Sequence, residues 1–363
     1  MKILFVITGL GVGGAEAVVA NLADELSNRG HQVCIAYLTG DAIIAPKNKS
    51  VSLVSLKLEG FFSLAAVFIR LRRLIISYRP DVVHSHMLHA NLVSRIARLS
   101  VKIPRLICTA HSNFEGGAVR MLAYRLTNPL GDVFTNVSQH AVCAFEKLHA
   151  VPKGKMIPVL NGIDSRKFYP DAERRQIYRN KFGFGEKQIL IAVGRLYESK
   201  DYPNLINAFL DVREKNANTK LIIVGDGPLR ETLSNMVVGL GLADHVEFLG
   251  VRHDIPDLLR AADVFVLSSA WEGFALVVGE AMATEKVVVA TDCGGVREVL
   301  GDDGFLVPTS DVFALSQGVH RALSLEHTQA TRLGIAARKR IIQNNSIESA
   351  IERWLDIYGV RNV

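Results

Sequence analysis

The chain lacks any close cysteine pair. Cys34, Cys108, Cys143 and Cys293 are widely scattered, and no two stand in a C-x-x-C spacing. Each falls within or beside an apolar run, so reduced, buried thiols are expected, and neither a disulfide framework nor a cysteine zinc site is. Asp-x-Asp is also absent, which removes the usual acidic clamp for a metal–diphosphate complex. No apolar run reaches the roughly 18 uninterrupted residues of a membrane span. The opening Met1-Lys2-Ile3-Leu4-Phe5-Val6-Ile7 has one basic residue and a short apolar stretch that runs into glycines. It reads as a first strand and not as a signal peptide, which points to the cytoplasm. Aromatic residues make up only 7% and no nucleic-acid-binding motif is recognisable. Nucleic acid is therefore not an expected partner.

What is present is a folded chain of 363 residues, 49% hydrophobic and 21% charged. That length suits two domains of roughly 150–200 residues each. The net charge of +6 is uneven: residues 1–160 carry +9 and residues 161–363 carry −3. A basic first half attracts anionic lipid headgroups or phosphorylated substrates. Both halves alternate short β-branched runs with amphipathic stretches, which predicts an α/β protein with two doubly wound parallel sheets. Strands are expected at Ile3–Thr8, Gln32–Tyr37, Ser52–Leu56, Val82–His84, Arg105–Thr109, Val133–Asn136 and Met156–Leu160. The second half adds Gln188–Val193, Lys220–Val224, Val246–Leu249, Val264–Leu267, Val287–Ala290 and Gly304–Val307. The turn-rich Asn161-Gly162-Ile163-Asp164 marks the boundary, giving domains 1–164 and 165–345. A last helix within 346–363 is expected to fold back onto the first domain. Two such domains facing each other would place a ligand cleft at the C-terminal ends of their strands.

The most informative segment is Glu272-Gly273-Phe274-Ala275-Leu276-Val277-Val278-Gly279-Glu280. The apolar run before it reads as a buried strand and the run from Leu276 as a helix. Glu272 then sits on the connecting loop, and Glu280 about two turns into the helix. Backbone N–H groups at Phe274, Ala275 and Leu276 would point from the helix start, where an anion is stabilised. Arg195 and Lys200 leave an earlier strand end five residues apart, close enough to clamp one diphosphate. Gly225-Asp226-Gly227-Pro228 is a further strand-to-helix turn with Pro at the first helical position. Gly9-x-Gly11-x-x-Gly14 satisfies the dinucleotide-binding spacing, but the acidic residue required about 20 positions on is missing. The second strand runs instead into Tyr37-Leu38-Thr39-Gly40. His84, His86, His89 and His111 crowd strand ends with no carboxylate or cysteine at ligand spacing, so hydrogen bonding suits His111 better than zinc.

Taken in order, Gly13-Gly14-Ala15-Glu16, Thr109-Ala110-His111, Asn161-Gly162-Ile163-Asp164, Gly194-Arg195-Leu196 with Lys200, Gly225-Asp226-Gly227-Pro228 and Glu272-x7-Glu280 resemble the retaining glycosyltransferases of GT-B family 4. The resemblance covers almost the whole chain. It implies that Glu280 holds the donor ribose while Arg195 and Lys200 take the donor diphosphate. Glu272 would contact the transferred sugar, and Phe274, Ala275 and Leu276 would offer backbone N–H groups to sugar or phosphate. Gly14 would let the diphosphate approach the first domain, and His111 would sit near the reacting sugar. Val251 and Arg252 lie where the family holds the base. The sequence departs from the family at Ala275, often glycine there, and at Gly279, often a larger apolar residue.

The implied reaction moves a hexose or N-acetylhexosamine from a nucleotide sugar, UDP favoured over GDP, with retained configuration and no metal or other cofactor. The implied acceptor is a saccharide or lipid-diphosphate-linked sugar of a cell-surface polysaccharide. The stretch Phe61–Tyr78 combines apolar residues with Arg70, Arg72 and Arg73, so it suits either an anionic membrane surface or an ordinary crossover helix with a solvated arginine face. An epimerase of the same fold would need further carboxylates at the sugar. A non-catalytic nucleotide-binding protein would be expected to have lost one of Arg195, Lys200, Glu272 or Glu280, and all four are present.

Overall fold

Runs rich in β-branched residues form parallel strands, and here every predicted run contributes one, although Ser52–Ser55 is exposed or half-buried throughout and Met156–Pro158 is buried only at Met156. The computed structural model describes residues 1–11, 13–60 and 63–359. The chain divides into two units, Met1–Gly162 with Ile347–Val363, and Ile163–Ser346.

The first unit holds β1 (Lys2–Gly9), β2 (Gln32–Thr39), β3 (Ser52–Ser55), β4 (Val82–His86), β5 (Leu106–Ala110), β6 (Val133–Asn136) and β7 (Met156–Pro158). Its seven strands lie in the order β3-β2-β1-β4-β5-β6-β7, and the pairs are parallel. The order reverses between β1 and β4, which makes their C-terminal ends the switch point of the sheet. The helix Leu64–Tyr78 buries Val67, Leu71 and Ile75, spaced by four, against the core of this unit. Phe61 and Phe62, the start of the predicted stretch, lie outside the described residues.

Cys143 corrects the expectation of four buried thiols: it is exposed, while Cys34, Cys108 and Cys293 are buried. Its helix, Gln139–Lys147, buries Ala141, Val142 and Phe145. Position 143 falls on the opposite side of a 3.6-residue turn, so an apolar neighbourhood in sequence did not mean burial.

The helix Ile347–Tyr358 belongs to the first unit. It buries Ile347, Ala350, Ile351, Trp354, Leu355 and Tyr358, a single helical stripe. The Trp354 ring lies 4.5 Å from the His84 ring, and the Tyr358 hydroxyl is 2.8 Å from His84 Nδ1. His84 Nε2 meets Thr109 Oγ1 at 2.7 Å, so both ring nitrogens of this fully buried residue are satisfied. Gly162, at the chain's exit from the unit, has no room for a side chain: a Cβ would stand 2.6 Å from Ile347 Cα.

The second unit holds β8 (Gln188–Val193), β9 (Thr219–Val224), β10 (Val246–Gly250), β11 (Val264–Leu267), β12 (Val287–Thr291) and β13 (Phe305–Val307). Its six strands are ordered β10-β9-β8-β11-β12-β13, also parallel. Here the switch point lies between β8 and β11. Pro228 falls two residues before the helix Arg230–Gly239, so it belongs to the turn and not to the first helical position.

Removing the Tyr358 hydroxyl would leave a buried imidazole nitrogen without a partner. Tyr358→Phe is expected to destabilise the protein by about 1–3 kcal/mol in denaturant unfolding followed by far-UV circular dichroism; an unchanged midpoint would show that the hydrogen bond contributes nothing.

Candidate active site

Two loops leave the switch point of the second sheet, one from β8 and one from β11, and each carries one charge to the same place. The Lys200 ammonium pairs with the Glu272 carboxylate, with side chains 18% and 14% exposed. Ser269 Oγ donates to the same carboxylate oxygen at 2.7 Å. The loops are stitched together by backbone. Ala270 N–H donates to the Ser199 carbonyl at 2.9 Å, and Ser268 Oγ donates to the Lys200 carbonyl at 2.7 Å.

Neighbouring strand ends tighten the arrangement. Thr291 Oγ1 donates to the Ser269 carbonyl at 2.6 Å. Gly294 has φ of +56°, and a Cβ there would lie 1.9 Å from the Glu272 carbonyl oxygen. Gly225, after β9, has φ of +137° and would place a Cβ 2.0 Å from the Gly194 carbonyl oxygen. Only glycine combines that backbone conformation with so close an approach. The Lys200 stem runs under Gly194, where a Cβ would meet Cε at 3.0 Å. The Tyr202 hydroxyl donates to the Gly194 carbonyl at 3.0 Å.

Arg195 is not gathered with Lys200. It lies exposed on the surface, its guanidinium 5.1 Å from the Tyr197 ring. The helix after Glu272 runs Leu276–Ala283, and Ala275 at its N-cap is left-handed at φ 57° and ψ 64° with no side-chain cap. A non-glycine residue there costs roughly 1 kcal/mol, which gives physical content to the departure from glycine at this position. Phe274 is buried, so whatever it offers a ligand comes from its backbone. Glu280 is the fifth residue of the helix, just over one turn in and not two. Burial raises its carboxyl to about 7, with Lys167 partly opposing the shift. Gly279 is small for a reason: a Cβ would stand 2.8 Å from Ile163 Cδ1.

Val251 is exposed. Arg252 is held by Asp254 through hydrogen bonds of 2.9 and 2.6 Å, with its guanidinium 5.8 Å from the Phe182 ring.

In the first unit, Gly14 is the exposed first residue of the helix Gly14–Asn28, which follows β1. At the end of β4, His86 Nδ1 is 3.0 Å from His111 Nε2. His86 Nε2 is buried without a hydrogen-bond partner. Burial lowers His111 to about 4 and holds His84 and His86 well below the usual histidine range. The three rings are therefore neutral near pH 7 and offer hydrogen bonds, not positive charge. His89 lies apart from them, exposed on the following helix. Among the described residues no group of three His, Cys, Asp or Glu is arranged to hold a metal ion.

Nothing local marks Tyr202 or Gly294 as part of this site, whereas Ser268-Ser269 closing an apolar strand just before a glutamate is a usable sequence signal for Ser269. Trp271, beside Glu272, is another. It is 56% exposed, whereas Trp354, the second of the chain's two tryptophans, is 4% exposed.

Two doubly wound parallel α/β units with charged groups at a switch point define the GT-B class of two-domain transferases. The fold matches the crystal structure of Anabaena Alr3699/HepE in complex with UDP, with a TM-score of 0.86 over 99% of this chain and 100% of that one, at 23% identity. The Glycosyltransferase Family 4 model matches residues 12–167 and the Glycosyl transferases group 1 model residues 174–340. This chain belongs to the GT-B family 4 glycosyltransferases and is a glycosyltransferase enzyme. Among its relatives is the UDP-Gal:alpha-D-GlcNAc-diphosphoundecaprenol alpha-1,3-galactosyltransferase of Escherichia coli, 26% identical over 80% of this chain and 78% of that protein. Another is the GDP-mannose-dependent alpha-(1-6)-phosphatidylinositol monomannoside mannosyltransferase of Mycolicibacterium smegmatis, 30% identical over 66% of each chain.

Glu280 makes stability depend on pH. With its folded value raised from 4.5 to about 7, the folded state keeps a proton that the unfolded chain has released, so stability falls as pH rises through that window. Glu280→Gln is expected to stabilise the protein by roughly 1–3 kcal/mol at pH 8 and to add little at pH 4.5. Urea titrations at the two pH values check this, and equal effects at both would refute it.

Proposed function

We propose that this enzyme transfers a hexose or N-acetylhexosamine from a nucleotide sugar to a saccharide or lipid-diphosphate-linked acceptor in cell-surface polysaccharide synthesis. Configuration at the anomeric carbon is retained and no metal takes part. The observation that carries this reading is the meeting of Lys200 and Glu272 at the switch point of the second sheet, directly before the helix start at Leu276.

Lys200 and the backbone N–H groups at Ala275 and Leu276 take the donor diphosphate, and Arg195 reaches it from the exposed rim. Fixed positive groups of this kind stabilise the leaving diphosphate as charge develops on it, the task a metal performs elsewhere. Glu272 accepts hydrogen bonds from the transferred sugar, and Glu280 from the ribose hydroxyls. In a retaining transfer the leaving oxygen takes the acceptor's proton on the same face of the sugar, so no separate base is required. His111, neutral at working pH, serves as a hydrogen-bonding group near the sugar. A UDP-sugar is the favoured donor. One relative is named for UDP-galactose and another for GDP-mannose, which makes GDP-sugars the comparison to run.

The basic first unit binds the acceptor and contacts an anionic membrane surface from the cytoplasmic side. Among the described residues no helix is long and apolar enough to cross a membrane. The helix Leu64–Tyr78 exposes Leu64, Ile69 and Ile76, and the helix Ala118–Thr127 exposes Val119, Leu122 and Leu126. Exposed apolar side chains on a basic unit suit peripheral binding to anionic lipid. The protein is expected to sediment with phosphatidylglycerol vesicles at low salt and to release at high salt; absence from the pellet at low salt would remove the membrane from this account.

Lys200→Ala is expected to reduce sugar transfer by at least about 100-fold while melting as a folded protein. EDTA is expected to leave the wild-type rate unchanged, and product NMR to show the donor's anomeric configuration. Near-wild-type turnover by Lys200→Ala would sink the site assignment, EDTA inhibition the metal-free reading, and an inverted product the retaining one.

A further inference from the structure

The Lys200 ammonium and the Glu272 carboxylate neutralise each other in this structure, and both are largely out of water. The Lys200 stem lies against Gly194, and the Glu272 backbone is pinned against Gly294. Apart from Lys200, the carboxylate oxygen has the Ser269 hydroxyl as a partner. An ammonium is a compact point charge, and an anion that draws it away leaves a half-buried carboxylate with one neutral donor. Losing one member of such a pair penalises the other more than the pair itself contributes.

We infer that Glu272 is a specificity-determining residue: by competing for Lys200 it sets the site against free nucleoside diphosphate and in favour of the intact nucleotide sugar. The inference rests on the reading above that Lys200 takes the donor diphosphate. Either ligand must displace Glu272 from Lys200. Only the nucleotide sugar brings hydroxyl donors to the carboxylate it strands, and the nucleoside diphosphate brings none. Discrimination by a buried polar group left unpaired with the wrong ligand is stronger than discrimination by shape alone. The same exchange acts on the product. Once the sugar has left, the nucleoside diphosphate loses its compensation, the ion pair re-forms, and release is favoured.

The test is calorimetric binding of UDP and GDP, of UDP-glucose, UDP-galactose and their N-acetylated forms, and of GDP-mannose, to the full chain and two variants. Wild type is expected to bind its nucleotide sugar about tenfold or more tighter than the matching nucleoside diphosphate. Glu272→Gln, which frees Lys200 while keeping the side-chain shape, is expected to bind the nucleoside diphosphate about tenfold tighter than wild type and to lose most of the preference. Ser269→Ala keeps both charges but removes the last partner of the stranded carboxylate. It is expected to weaken nucleoside diphosphate binding about threefold, and it serves as an independent arm should Glu272→Gln melt early. Unchanged or weaker nucleoside diphosphate binding by a folded Glu272→Gln overturns the inference and leaves the donor site standing. Tighter binding by Ser269→Ala also overturns it. A wild-type protein that binds no nucleotide or nucleotide sugar overturns both the inference and the donor assignment.

Discussion

An ammonium and a hydroxyl meet the Glu272 carboxylate in a half-buried loop, and they can meet it only because four loop backbones touch. The contact of Gly225 with Gly194, and of Gly294 with the Glu272 carbonyl, leaves no space for a single methyl group. Two of these glycines also sit at positive φ, where a side chain would be strained even in open space. The charged pair is thus the visible end of a backbone arrangement at the switch point of the sheet. Parallel sheets put such points at the carboxyl ends of the strands, and here β8 and β11 deliver Lys200 and Glu272 from opposite sides of the reversal.

The first unit uses the corresponding point differently. The C-terminal end of β1 leads to a glycine-led helix start, and β4 and the residue after β5 bring together a cluster of tilted imidazoles. Burial keeps those rings neutral, so this end of the sheet is polar without being charged. Tyr358, from the last described helix, completes the hydrogen bonds of His84. The ring cluster and that helix therefore share one core, and a change in either is felt by the other. At these two sheet ends the second unit places a charged pair and the first places neutral hydrogen-bonding rings.

Much of this was readable in advance because it is local. Strand runs such as Gln188–Val193 and Val264–Leu267 appear in the fold with the same ends, since β-branched residues buried on both faces leave a pattern that needs no partner to be recognised. A local pattern misleads where packing decides. Cys143 sits in an apolar stretch yet faces solvent. Arg195 and Lys200 are close in sequence, but Arg195 stays on the surface over Tyr197 while Lys200 turns inward. Ser269 and Gly294 matter because of which loop they touch, and nothing in their own neighbourhoods records that.

The segment from Glu272 to Glu280 shows the division most clearly. A loop carboxylate, a helix start and a helix carboxylate are legible from the chain alone, because turn chemistry and helical period act over a few residues. Tertiary structure alone decided that the first carboxylate is neutralised by Lys200, 72 residues earlier. It alone decided that the second is buried far enough to hold its proton to about 7. Ionisation and pairing depend on the surrounding dielectric and on charges from distant strands, and those exist only once the sheet has formed.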